Sequence, residues 1–182
     1  MNADSIPTYA FLQDLAVEIS GDLERSKRKF VLAESCTGGL AAALLASIPG
    51  MSRFMCGSLV VYSDEAKITW LEVPSEVLSR HGAVSKEASE AMADRALDLT
   101  PSAVVSVAIT GHLGPDAPAN LDGHVWICKG ERARTGKIEI HGELFHLDPF
   151  SKLSPQGRRL ARQMQATQLV LEILRGAIAI GS

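Results

Sequence analysis

Three short apolar runs, KFVLA (29–33), GSLVVY (57–62) and AVVSVAI (103–109), each pass directly into a polar segment, and helical patterns lie between them. An unbroken apolar run, as opposed to an in-out alternation, marks a strand covered on both faces. Covering both faces requires helices above and below one sheet, so the pattern predicts a three-layer α/β/α sandwich with a mixed, mostly parallel sheet. If the three strands are parallel neighbours, the polar segments after them open on one sheet edge, where α/β folds bind ligands.

The other elements fit this frame. Phe11, Leu12, Leu15, Ile19 and Leu23 recur at steps of three and four, predicting a helix from Thr8 to about Ser26, with Asp4 or Ser5 as cap and Pro7 in its first turn. The Ala- and Leu-rich stretch 40–48 predicts a second helix, ended by Pro49-Gly50. Ser63-Asp64 caps a helix beginning at Glu65-Ala66-Lys67, a broken helical region spans 71–82, and Ser85 opens a helix carrying Ala88, Met92, Ala96 and Leu99 on one face. Glycines and prolines make 110–123 a loop, and His124–Lys129 and Lys137–His146 read as antiparallel strands. A long helix from Ser154 to about Ala179 closes the chain. With 182 residues and no Pro-, Gly- or Ser-rich linker, one domain over 1–182 is expected.

Charge and cysteines narrow the function classes. Eighteen basic residues against 21 acidic ones give a net charge of −3, and the densest basic clusters, Arg158-Arg159-Arg162 and Arg25 to Lys29, are short. This balance argues against a nucleic-acid partner. Cys36, Cys56 and Cys128 have no CxxC spacing, and His141 and His146 fall on opposite faces of their strand, so no metal site is expected. The N-terminus lacks the charged-then-apolar order of a secretory leader and no stretch of the chain is apolar enough to span a bilayer, so a cytoplasmic protein without a membrane partner is expected.

Chemistry-bearing residues concentrate after the three runs, in Glu34-Ser35-Cys36-Thr37-Gly38-Gly39, Tyr62-Ser63-Asp64-Glu65-Ala66-Lys67 and Thr110-Gly111-His112-Leu113-Gly114-Pro115. Together they supply a hydroxyl, a phenol, an amine and the free amides of a helix start. A serine hydroxyl becomes a nucleophile when a neighbour takes its proton, and a lysine desolvated in a cleft can be that neighbour. Each residue also has a plainer reading: Ser35 and Thr37 as helix caps, Lys67 as a solvated first-turn residue, Tyr62 as a strand-end residue. Cys36 is a competing nucleophile, since thiols at helix starts ionise readily.

AESCTGGLAAALL, VVYSDEAKITWLEVP, RHGAVSKEASEAMA and VAITG, in that order, resemble the C-terminal domain of CinA, whose stand-alone members are nicotinamide-nucleotide amidases. The resemblance runs from about Ala33 to Ile127. It implies hydrolysis of the carboxamide of nicotinamide mononucleotide to nicotinic acid mononucleotide and ammonia, with no cofactor. It also implies Ser35 as nucleophile, with Tyr62 and Lys67 as partners; we assign Lys67 as base and Tyr62 as the proton relay. Amides at Cys36, Thr37, Gly38 and Gly39, or at Gly111, are expected to hold an oxyanion or the substrate phosphate, with Thr110 and His112 beside them. A homo-oligomer, a dimer being one form, is a further implication.

The third loop departs from the family pattern TG-x-AGP-x-GG followed by Lys-Pro: here the second half of His112 to Gly123 is about two residues shorter, and its glycine pair and lysine are absent. Two function classes therefore stay open, an amidase and an altered relative that binds a nucleotide in a regulatory or assembly role. An arginine near the C-terminus is also expected in the family, with Arg158, Arg159 and Arg162 all candidates.

Overall fold

The computed structural model describes residues 6–179. Five strands, β1 (Phe30–Glu34), β2 (Met55–Val60), β3 (Val105–Gly111), β4 (His124–Arg132) and β5 (Ile138–His146), form one sheet in the order β2-β1-β3-β4-β5. The pairs β1·β2 and β1·β3 are parallel, whereas β3·β4 and β4·β5 are antiparallel. Among the described residues, six α-helices flank the sheet: α1 (Tyr9–Ser26), α2 (Leu40–Ala46), α3 (Asp64–Thr69), α4 (Ser75–His81), α5 (Lys86–Asp98) and α6 (Pro155–Ala179).

Strand alternation divides the core in two. Phe30, Leu32, Val105, Val107 and Ile109 face one layer, where they meet Leu12, Ile19 and Leu23 of α1, Leu44 of α2 and Leu171 and Leu174 of α6. Val31, Ala33 and Ala108 face the other layer, against Met92, Ala93, Ala96 and Leu97 of α5 and Leu78 of α4. This is the predicted three-layer sandwich, and it explains why β1 carries no exposed residue.

Local differences from the sequence reading have simple causes. The proposed caps Asp4 and Ser5 lie outside the described residues; the cap of α1 is Thr8, whose Oγ1 accepts from the Phe11 amide at 3.1 Å, so Pro7 precedes the helix. Strand β2 starts two residues early, because Met55 already pairs with Phe30, and it stops at Val60, leaving Tyr62 beyond the strand. Thr110 and Gly111 belong to β3 and not to the loop, since they pair with Trp126 and Val125. Ser63 and Ser85 cap α3 and α5 as expected, each hydroxyl accepting an amide at 3.1 Å.

Candidate active site

The parallel strands β2, β1 and β3 end side by side, and the segments leaving them enclose a cleft of about 580 Å³, a volume suited to a small molecule. Ser35 and Cys36 border it from β1, Tyr62, Asp64 and Lys67 from β2 and α3, and Thr110, Gly111 and His112 from β3. Seven of the ten residues singled out from the sequence therefore meet in one cleft. The other three, Thr37, Gly38 and Gly39, do not border it.

The reason lies in Glu34, a residue that the sequence reading passed over. Its side chain is fully buried, and its carboxylate accepts from Thr37 Oγ1 at 2.8 Å, the Gly39, Ala41 and Ala42 amides at 3.1, 3.2 and 3.0 Å, and Ser58 Oγ at 3.2 Å. Helix α2 has no side-chain cap at Gly39 itself, and Glu34 satisfies its orphan amides from the preceding strand. Gly38 and Gly39 allow the chain to fold back this tightly, both having positive φ, 64° and 92°. The Gly38 amide is bonded to the Ser35 carbonyl at 3.0 Å and the Thr37 carbonyl accepts from Gln163 Nε2 at 2.8 Å. The expectation that the Gly38 and Gly39 amides are free donors to a ligand is thus corrected: both are taken up within the turn, which the Thr37 hydroxyl and carbonyl also hold and which projects Ser35.

Lys67 is only 1% exposed, although it sits in the first turn and a half of a short surface helix. Its nearest carboxylate oxygen belongs to Asp64, 3.7 Å from Nζ, and Asp64 itself is largely exposed. Burial holds the ammonium below the ordinary lysine range, and Asp64 opposes that shift only in part. A lysine in this setting favours the neutral amine that proton abstraction requires. Cys36 shows the contrary effect: burial, with Glu34 adding to it, pushes its thiol up to about 12 despite the nearby Lys67 and Arg159. The thiol is therefore protonated near neutral pH, which disfavours it as the nucleophile.

On the β3 side, the His112 amide bonds to the His124 carbonyl at 2.9 Å. Amides alternate in direction along a strand, so that of Gly111 points the other way, toward the side of β1 where Ser35 leaves the sheet. A Cβ on Gly111 would lie 2.2 Å from Val125 Cγ1, which explains the glycine. Thr110 Oγ1 donates to the Ala83 carbonyl at 2.7 Å, fixing the segment before α5 that also borders the cleft. His112 has its imidazolium disfavoured, by burial first and by His124 in smaller part, with Asp122 opposing.

The structure also chooses among the C-terminal arginines. Arg159 borders the cleft, where Nη2 donates to the Tyr62 hydroxyl at 2.6 Å and Nη1 to the Gly114 carbonyl, joining the two rims. Arg162 is buried beneath the 112–123 loop. A run of arginines on one helix was the available signal, but which of them reaches the cleft depends on how α6 is rotated against the loop.

The fold and this edge define a class, α/β domains with a serine, a tyrosine and a buried lysine converging at the ends of three parallel strands. The family of the CinA C-terminal domain matches residues 12–178, and the chain belongs to that family. A CinA-like protein of Myxococcus xanthus is 44% identical over 126 residues, covering 66% of this chain and 30% of that protein. A CinA-like protein of Gemmatimonas aurantiaca is 33% identical over 168 residues, 91% of this chain and 36% of its own length. The chain thus spans about a third of the length of these relatives. Among solved structures, the competence damage-inducible protein A of Klebsiella pneumoniae superposes with a TM-score of 0.76 at 28% identity, covering 92% of this chain and 97% of that one. A competence/damage inducible protein of Agrobacterium tumefaciens gives 0.71 at 30% identity, covering 93% and 98%.

Proposed function

We propose that the protein is a nicotinamide-nucleotide amidase that converts nicotinamide mononucleotide to nicotinic acid mononucleotide and ammonia. The observation that carries the reading is the buried Lys67 amine in the cleft that Ser35 borders. In this mechanism Ser35 Oγ attacks the carboxamide carbon while its proton passes to the neutral Lys67 amine, with the Tyr62 phenol as relay. The carbonyl oxygen takes the negative charge, and in this reading the Gly111 amide receives it. The proton returns to the departing nitrogen, ammonia leaves, and water hydrolyses the acyl-serine by the same route in reverse. Arg159 orients Tyr62 and contributes positive charge suited to an anionic substrate. Self-association is part of the proposal and is read by size-exclusion chromatography with light scattering.

A second reading, a nucleotide-binding relative without turnover, draws support from the 112–123 loop, where the Asp122–Arg162 pair occupies a segment that departs from the family pattern. One assay separates the two. Purified protein is incubated with nicotinamide mononucleotide and both products are followed, with Ser35→Ala in parallel. Product from the wild type alone supports the amidase and its nucleophile; nicotinamide mononucleotide bound but not consumed by the wild type supports the second reading.

A further inference from the structure

The 112–123 loop forms one wall of the cleft through His112 to Ala117. Its two ends are fixed by backbone: the Gly123 amide donates to the His112 carbonyl at 3.0 Å, and the Leu147 amide to the Gly123 carbonyl at 2.8 Å. Between these ends its backbone bonds are short-range, Ala117 to Pro115 and Leu121 to Pro118, both at 2.8 Å, and from the His124 amide of β4 to the Leu121 carbonyl at 3.0 Å. Besides the buried Leu113 and the bond from Arg159 to the Gly114 carbonyl, the guanidinium of Arg162 ties this segment to the body of the protein. Nη1 and Nη2 donate to Asp122 Oδ1 and Oδ2 at 2.6 and 3.0 Å, Nη1 also reaches the Leu113 carbonyl at 3.5 Å, and Nε donates to the Asp148 carbonyl at 3.0 Å. The Arg162 side chain is 2% exposed and that of Asp122 30%, so the guanidinium is buried while the carboxylate keeps some contact with solvent.

The backbone is shaped to this pair. Gly114 and Gly123 both have positive φ, and a Cβ on Gly114 would lie 2.9 Å from Asp122 Oδ1 and 3.1 Å from Arg162 Nη1. A Cβ on Gly123 would lie 3.3 Å from Arg162 Nη2. A buried ion pair seldom adds much stability over an apolar pair of the same size, because desolvating both charges offsets their attraction. Its clearest use is to specify one geometry. Here that geometry is the placement of the loop as a wall of the cleft, since one turn of α6 away Arg159 grips the Gly114 carbonyl of the same loop and the Tyr62 hydroxyl across the cleft.

We propose that Asp122 and Arg162 are positioning residues that hold the 112–123 loop as the wall of the cleft and thereby set the affinity for substrate, not the rate of the chemical step. For the loop the inference rests on geometry alone; for the substrate it rests on the amidase reading above. Hydrogen bonding to Arg162 holds the Asp122 carboxyl below its usual range, so the pair persists throughout the neutral range.

The test compares wild type, Asp122→Asn, Asp122→Glu and Arg162→Lys by amide hydrogen exchange and by steady-state kinetics with nicotinamide mononucleotide. Asp122→Asn is expected to speed exchange at the Ala117 and Leu121 amides at least tenfold while the β1 and β3 amides keep their protection. It is also expected to raise KM about tenfold with kcat within a factor of two. Asp122→Glu, which keeps a carboxylate, recovers at least half of both effects on a logarithmic scale, and Arg162→Lys behaves like Asp122→Asn if it retains the wild-type melting profile. Unchanged loop exchange in a folded Asp122→Asn protein overturns the proposal, as does a fall in kcat at constant KM. If the wild type yields no product, the amidase reading fails, and loop exchange together with calorimetric binding of nicotinamide mononucleotide still decides the role of the pair.

Discussion

Replacing Glu34 by glutamine tests whether the turn that presents Ser35 is organised by this carboxylate. Glutamine offers one acceptor oxygen in place of two. If that oxygen takes the place of Oε2 it keeps Thr37 Oγ1 and the Gly39 and Ala41 amides, and the new NH2 group then faces the Ala42 amide and Ser58 Oγ. The Ser58 hydroxyl can rotate to accept, but the Ala42 amide is left opposite a donor, which costs about 1–3 kcal/mol for a buried group. The three retained bonds lose their charge assistance, about 0.5–1 kcal/mol each, and the start of α2 loses a favourable negative charge, about 0.5–1 kcal/mol. The expected loss is therefore about 3–7 kcal/mol, which in a domain of this size lowers Tm by roughly 6–28 °C. Urea unfolding followed by circular dichroism reads the loss directly, provided the m-value is unchanged. Thr37→Val, which removes a single donor, is expected to cost about 1–2 kcal/mol, whereas Ser35→Ala, outside this network, leaves stability near that of the wild type. A loss below about 1 kcal/mol for Glu34→Gln refutes the argument, since the carboxylate would then have an equivalent substitute among its neighbours.

Three further outcomes follow from the same geometry. Lys67→Met abolishes turnover yet stabilises the fold: the folded state disfavours the ammonium, so between the lowered folded pKa and the ordinary 10.5 the unfolded chain binds more protons and stability rises with pH, while below that window the penalty is present in full. Its removal is expected to add about 1 kcal/mol at pH 7 in thermal or urea melts, and a destabilised Lys67→Met protein would count against the desolvation argument. The wild-type kcat/KM is expected to rise with pH and level off below 10.5, as the buried amine loses its proton. Iodoacetamide at pH 8 should alkylate the exposed Cys56 and spare Cys36 and Cys128, whose thiols burial pushes up to about 12 and about 11; a peptide map showing Cys36 modified first would reopen it as the nucleophile.

Much of the fold was legible because it is local and repetitive. Apolar runs at 29–33 and 103–109 need only their own composition to be read as doubly covered strands, and Ser63 and Ser85 show their capping role through the residues that follow them. The convergence of three polar segments was legible too, because parallel neighbouring strands leave no other place for the segments at their ends. What escaped the sequence depends on contacts made across the chain. Glu34 reads as a charge ending a strand; only when Gly38 and Gly39 turn the chain back does a set of donors close around it, so the most buried acid of the site looked like its least informative residue. The arginines were visible as a cluster, but their roles separate only when α6 is laid against the loop: Arg159 reaches Tyr62, 97 residues away, and Arg162 reaches Asp122, 40 residues away. The departure of 112–123 from the family pattern acquires a physical meaning in the same way. With the family's glycine pair and lysine absent, this chain holds the wall of its cleft through a carboxylate that meets a buried guanidinium on α6. Ser35 and Lys67, the nucleophile and base of the proposed reaction, respectively follow β1 and lie on α3, while the wall facing them hangs from α6, so substitutions in the loop can change what binds while leaving those two groups in place.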